Sequence, residues 1–430
     1  MKVKGAWKSV AGLAVLALVG SGCLGGDDDD AGGDGGTVTA FGTWTDAEAA
    51  NFEASIAPFE EETGIDVQFE GDRDFNNLIF SRVQAGDPPD VAFPNPGVTA
   101  DLVEIGEVRQ LSDFLDVDAL ESSLIPGLID AVTVDDVAYG VPVKANFKSI
   151  IWYNRPAFEA AAYQIPETAD DLTALEQQII SDGGTPWCLG AESGAETGWP
   201  LTDWIEDYML RLHGPDVYDE WVSHDLPFNS PQAAEAFEQL QTLVSTPGAI
   251  LGGVQGVLST NFGDSPLGLF ADPPQCFMHR QADFITGFFP DDVRDDLDTN
   301  VLASYFPSGY QGGFDGDPVL GAGDFAVLLT ENSAAEQFMD FLASDEFGGE
   351  WAAAGGFLSP HQGFDATQYP NEVTRQVAEV GAQADVLRFD ASDRMPPAVA
   401  GAFQSAVVEF LSGGQTLDAA LTAIDDQFPD

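Results

Sequence analysis

Residues 37–69 read TVTAFGTWTDAEAANFEASIAPFEEETGIDVQF. The first seven, 37–43, alternate and are rich in β formers, which predicts a strand. Asp46 opens a segment with helical spacing and an acidic first turn, and Gly64 stops it. Residues 65–69 (IDVQF) predict a second strand. Strand, helix and strand in that order make a β-α-β unit, which implies parallel neighbours and a right-handed crossover. This stretch places the chain in the α/β class.

Further along, 78–85 predicts a helix and 88–93 (PPDVAF) enters a third short strand. Strands are expected at 137–143 and 149–153, flanking Lys144–Lys148. Helices are expected at 170–181, 201–212, 231–243, 334–342, 370–384, 398–411 and 417–427. Gly- and Pro-rich breaks near 248–275 and 307–323 read as loops at a cleft. With 430 residues, 44% of them hydrophobic, and no internal repeat, the chain is long enough for two or three lobes with sizeable cores.

Charge narrows the function. There are 72 Asp+Glu against 15 Lys+Arg, a formal net charge of −57. A basic patch for nucleic acid or an anionic membrane has no support, because the long-range field has the wrong sign. Such a surface suits a salty exterior, where the Debye length is short.

The N-terminus reads as an address. Lys2, Lys4 and Lys8 precede an apolar run at 10–20, too short to span a bilayer, and Ser21 and Gly22 lead to Cys23. Residues 1–22 are expected to be a lipoprotein signal peptide and Cys23 the lipidated residue; the segment resembles a bacterial lipobox, with Gly20 where Leu is usual. Residues 23–36, with four consecutive Asp and many Gly, read as a self-repelling tether. Removing 1–22 takes away three lysines and no acids. Export puts the chain in an oxidising compartment. With Cys23 used by lipid, Cys188 and Cys276 remain, and a disulfide between them is expected.

Enzyme signatures are missing from the sequence. It contains no GxSxG, HExxH, P-loop or glycine fingerprint after a strand, and its four His lack metal-ligand spacing. No catalytic residue, metal or cofactor is therefore assigned. A glycoside hydrolase, whose two carboxylates lie far apart in sequence, stays open as an alternative.

Several motifs, in order, carry a resemblance: Gly42-Thr43-Trp44, Pro89-Asp90-Val91-Ala92-Phe93, Tyr139-Gly140-Val141-Pro142-Val143, Ile150-Ile151-Trp152-Tyr153-Asn154 and Pro186-Trp187-Cys188. They continue with Thr197-Gly198-Trp199-Pro200, Cys276-Phe277-Met278-His279-Arg280, Gly321-Ala322-Gly323-Asp324, Gly355-Gly356-Phe357 and Arg394-Met395-Pro396. The chain resembles the extracellular solute-binding proteins of sugar ABC transporters, the family that includes the maltose-binding protein, and within it the α-glucoside-binding lipoproteins. The resemblance implies a periplasmic-binding-protein-like type II fold: two discontinuous α/β lobes, a hinge and a central ligand cleft. It implies lobe 1 at 37–145, lobe 2 at 146–285, a lobe 1 return and hinge at 286–350, and lobe 2 C-terminal helices at 351–430. The implied function is capture of an α-linked di- or oligosaccharide by a monomer, anchored by lipid on the outer face of the cell membrane. Permease subunits of the ABC transporter would receive the sugar.

A pyranose has apolar C–H faces and a polar rim, so its site needs flat platforms and hydrogen-bond partners at their edges. Trp44, Trp199, Trp204 and Phe357 offer platforms. Asp46, Asn95, Asn146, Glu196, Asp324 and Arg394 offer edges. Lys144 joins Asn146 at the expected lobe crossover; Asp203 lies in the 201–212 helix; His279 and Arg280 follow the second bridge cysteine; Gly323 precedes Asp324 where the resemblance implies a ligand loop. Some of these have other work open to them: Asp46 and Asp203 as helix caps, Trp204 as core, Arg394 in a surface ion pair. A polyol, an amino-sugar or a polyamine remains an alternative ligand for the same fold.

Overall fold

The computed structural model describes residues 36–429 apart from 383 and 385. The signal-peptide reading of 1–22, lipidation at Cys23 and nearly all of the 23–36 tether lie outside the described residues. The opening β-α-β unit is present: strands Thr37–Gly42 and Asp66–Gly71 run parallel, joined by the helix Asp46–Thr63. Gly64 ends that helix in the left-handed region (φ 70°), where a side chain would be strained. Phe52, Ile56 and Phe59 recur at helical spacing and bury against the sheet.

Two sheets organise the molecule. The first runs in the order Leu387–Phe389, Val319–Leu328, Val91–Ala92, Thr37–Gly42, Asp66–Gly71, and Gly140–Phe147 pairs with the long strand Val319–Leu328. The second runs in the order Val301–Tyr305, Ile150–Asn154, Met278–Arg280, Trp187–Cys188. Helices Trp199–Val222, Pro231–Ser245, Pro397–Leu411 and Leu417–Asp425 bury their apolar faces in the core that covers the second sheet.

Two differences from the expected pattern bear on the cleft. Lys144–Phe147 is strand rather than a linker, because the run Gly140–Phe147 is buried throughout and pairs antiparallel with Gly321–Val327, with a bulge between Asp324 and Phe325. The chain also changes sheets more often than the four expected segments allow. Val301–Tyr305, from the expected lobe 1 return, pairs with Ile150–Asn154 in the second sheet. Leu387–Phe389, from the expected lobe 2 tail, pairs with Val319–Gly321 in the first. The helix Gly349–Ala354 packs on Asp46–Thr63, with the Trp351 ring edge-on to Trp44 at 5.2 Å. These pairings join residues about 70 to 300 positions apart, and local periodicity carries no trace of them.

The helix expected at 201–212 runs Trp199–Val222 and kinks where Gly214 (φ 81°, ψ 173°) meets Pro215. Cys188 and Cys276 form a disulfide, with Cα atoms 5.6 Å apart. It ties the strand Trp187–Cys188 to the segment entering Met278–Arg280.

Candidate functional site

A cavity of about 570 Å³ opens between elements of the two sheets. That volume is in the range, roughly 300–1,000 Å³, of small-molecule sites. One wall is aromatic. Trp199 starts its helix half-buried, its ring edge-on to Phe262 at 5.2 Å and 6.1 Å from Phe284. Phe262 and Phe284 come from the 248–275 break and the short turn Asp283–Phe288.

The other wall is polar and is built from the first sheet. Asn95 caps the helix Pro96–Glu104, its Oδ1 accepting from Val98 N at 3.0 Å. Asn146 and Asp324 lie diagonally across the Gly140–Phe147 and Val319–Leu328 pairing, where Asp324 is opposite Lys144 and Asn146 opposite Ala322, and Asn146 Nδ2 donates to Asp324 Oδ2 at 3.2 Å. The Trp44 indole also donates to Asp324, whose carboxyl burial pushes up. Glu48 takes two cations: Arg73 Nη2 lies 3.1 Å from one carboxylate oxygen and Lys144 Nζ 3.8 Å from the other. Glu196 stands between the walls. It accepts from Asn76 Nδ2 of the helix Phe75–Ala85 at 3.4 Å and from Gln404 Nε2 of the helix Pro397–Leu411 at 3.2 Å.

Below the cavity lies a buried ionic knot. Lys148 Nζ donates to Asp203 Oδ1 at 2.9 Å and to Asp390 Oδ2 at 2.5 Å. Glu206 accepts from the backbone N–H groups of Ala391 and Ser392, both at 3.2 Å. Burial pushes Asp203 up to about 7, and burial with the adjacent Asp390 charge pushes Asp393 up to about 8. Burial also opposes ionisation of Asp390, but the Lys148 ammonium and its own hydrogen bonds hold its carboxyl below the usual range. Oxygens of Asp203, Glu206 and Asp390 converge within 4.8 Å, a spacing compatible with a metal. The Lys148 ammonium touches two of the three and supplies the positive charge there.

Residues 42–348 match the model of the bacterial extracellular solute-binding proteins. The chain belongs to that family. It is 40% identical over 394 residues to the osmoprotective compounds-binding protein GgtB of Synechocystis sp., covering 91% of this chain and 92% of the relative. It is 37% identical over 396 residues to the alpha-glucosides-binding periplasmic protein AglE of Rhizobium meliloti, covering 90% and 86%. Among solved structures, a chitin oligosaccharide binding protein superposes with a TM-score of 0.77 at 20% identity, covering 92% of this chain and 98% of the other. Maltose-bound MalE3 of T. maritima superposes at 0.71 and 18% identity, covering 91% and 98%. These likenesses show the fold, the two-lobed type II architecture.

Within this solute-binding protein, Trp44, Asn95, Lys144, Asn146, Glu196, Trp199, Gly323 and Asp324 stand on the cavity wall. Trp44 presents little surface there: it is 3% exposed, packed among Phe52, Phe69, Phe93 and Trp351.

Seven expected residues lie off the wall. Asp46 is exposed at the start of its helix, after the cap position Thr45, and accepts from Thr45 Oγ1. Asp203 serves the ionic knot. Trp204 is core, edge-on to Trp187 and Phe306. His279 is buried in the second sheet against Cys188 O at 3.0 Å, and burial pulls its imidazole down to about 4. Arg280 is buried against Asp207. Phe357 packs on Trp351 and Phe347 in the first core. Arg394 is exposed.

The sequence reading missed Glu48, Arg73, Asn76, Lys148, Asp393 and Gln404, all on the wall. Glu48 carried no signal of its own, because an acid in the first turn of a helix is expected there in any case. Lys148 did carry a signal, as a cation beside the apolar run Ile150–Tyr153 in a chain poor in cations.

Proposed function

We propose that this chain is the receptor of an ABC importer: it captures a neutral α-glucoside outside the cell and passes it unchanged to membrane permease subunits. The carrying observation is Trp199, half-buried on one wall, facing a wall of side-chain amides and internally paired charges. An aromatic ring accepts the C–H face of a pyranose, and amides and carboxylates take hydroxyls at its rim. The names of two relatives support the same class, one for alpha-glucosides and one for osmoprotective compounds. A neutral disaccharide such as trehalose, sucrose or maltose belongs with both. A polyamine fits less well, since the wall's acids are already engaged, Glu48 by Arg73 and Lys144 and Glu196 by the amides of Asn76 and Gln404.

The mature chain acts as a monomer tethered by acyl chains on Cys23, and the acidic 23–36 segment spaces the clamp from the membrane. Closing of the two lobes on the sugar makes the loaded form that the permease reads. Titration of tryptophan fluorescence with trehalose, maltose and sucrose tests the reading, with the mixture assayed afterwards for free monosaccharide. Saturable binding with intact sugar is expected; release of glucose, or no response to any of them, overturns it.

A further inference from the structure

Acids outnumber cations about fivefold along this chain, yet three of its 15 Lys+Arg residues, Arg73, Lys144 and Lys148, stand on one cavity wall. Each is already taken. Lys148 is held by Asp203 and Asp390 in the ionic knot. Arg73 and Lys144 share Glu48, one on each carboxylate oxygen, at 3.1 and 3.8 Å. The Lys144 side chain is 2% exposed and Arg73's is 45%, so Lys144 is the cation that most needs an anion close by. Two other acids act on Lys144. Asp324 spends its carboxylate on Asn146 and the Trp44 indole, and burial raises it. Asp283 accepts from Phe147 N, and burial pushes it up to about 7. Glu48 is the acid that forms an ion pair with Lys144.

We propose that Glu48 sets the charge selectivity of the cleft: it holds the place that the carboxylate of an acidic solute would take on Lys144 and Arg73, so the cleft admits uncharged solutes. The inference rests on the cleft being a sugar site and names the electrical class of that sugar. With Glu48 present, a sugar acid meets like charge and finds both cations engaged. With Glu48 neutralised, a buried ammonium and a guanidinium face the cavity without that anion, and a carboxylate is their natural partner.

The test is calorimetric titration of the wild type, Glu48→Gln, Glu48→Asp and the Glu48→Gln/Lys144→Met double variant. The probes are trehalose, maltose and sucrose, and the uronic acids made by oxidising their primary hydroxyls. The wild type and Glu48→Asp bind a neutral sugar and discriminate against its acid. Glu48→Gln narrows that ratio by roughly 10- to 100-fold, by gaining the acid. The gain weakens with added salt and disappears in the double variant. Equal affinity of the wild type for sugar and acid overturns the proposal without any variant and leaves the sugar reading standing. A folded Glu48→Gln that weakens both alike also overturns it. A wild type that binds neither class overturns the sugar reading and this proposal together.

Discussion

Lys148 Nζ stands 2.5 Å from Asp390 Oδ2, joining the segment that leaves the first sheet after Phe147 to the one that leaves it after Phe389. Both are crossing points between the sheets, and Asp203 on the helix Trp199–Val222 completes the tie. The ammonium is the cation on which these buried carboxylates depend. Lys148→Met keeps the stem volume and removes the charge, leaving Asp203 and Asp390 buried without it. Breaking a buried pair by removing one partner costs about 3–5 kcal/mol, and a loss of that order in urea unfolding is expected. An unchanged midpoint would mean the knot is solvated.

The same knot gives stability a pH slope. Asp203 and Asp393 are pushed up to about 7 and about 8, chiefly by burial, whereas in the unfolded chain they ionise near 4. Between those values the folded state holds more protons than the unfolded one, so stability falls as pH rises from about 4 to about 8. Asp390, held low, works the other way: its contribution is present above about 4 and is lost on acidification. Melting curves at fixed salt should give a lower Tm at pH 8.5 than at pH 5.5, with a smaller drop in Asp393→Asn. A Tm that climbs over this range would contradict these burial shifts.

Trp199 is half-buried, so truncation separates binding from folding. Trp199→Ala should weaken sugar binding by roughly tenfold or more, through loss of the platform. Its stability cost should be only about 1–2 kcal/mol, below that of a fully buried tryptophan. Isothermal titration and a urea melt on one preparation measure both. Unchanged affinity would remove Trp199 from the sugar site.

Cys188 and Cys276 are 88 positions apart. Closing a loop of that length removes unfolded-state entropy worth roughly 4–5 kcal/mol in the chain-entropy model. The double serine variant should melt well below the wild type, and thiol titration of the unreduced, unfolded mature protein should find neither cysteine free. Two reactive thiols would show that the bond does not form.

The β-α-β start, most helices and the cysteine pair were legible in the sequence, because each depends on local periodicity or on a small count of one residue type. The cavity was legible only in part. Trp199 and Asn95 sit beside breaks or strand ends, where a sequence marks loops and caps, whereas Gly323 and Asp324, expected on a loop, lie in mid-strand in Val319–Leu328, next to its bulge. Trp204 and Phe357 are the same residue types as real platforms, but the side of the element they face is set by packing partners far away in the chain. Gln404 and Asp393 reach the wall because the C-terminal segment recrosses to the first sheet at Leu387–Phe389 and returns. Glu48 was hidden by its own helix, since an acid in a first turn already has a reason to be there.

The central claim, a clamp for neutral sugar, meets its most direct test in a thermal-shift screen of the mature protein. Trehalose, maltose and sucrose should be run beside putrescine and a set of amino acids. A bound ligand at 100 times its Kd stabilises by about 2.7 kcal/mol, so at least one of the three sugars should raise Tm in a concentration-dependent way while putrescine leaves it unmoved. A shift with putrescine or an amino acid, and none with any sugar, would contradict the account.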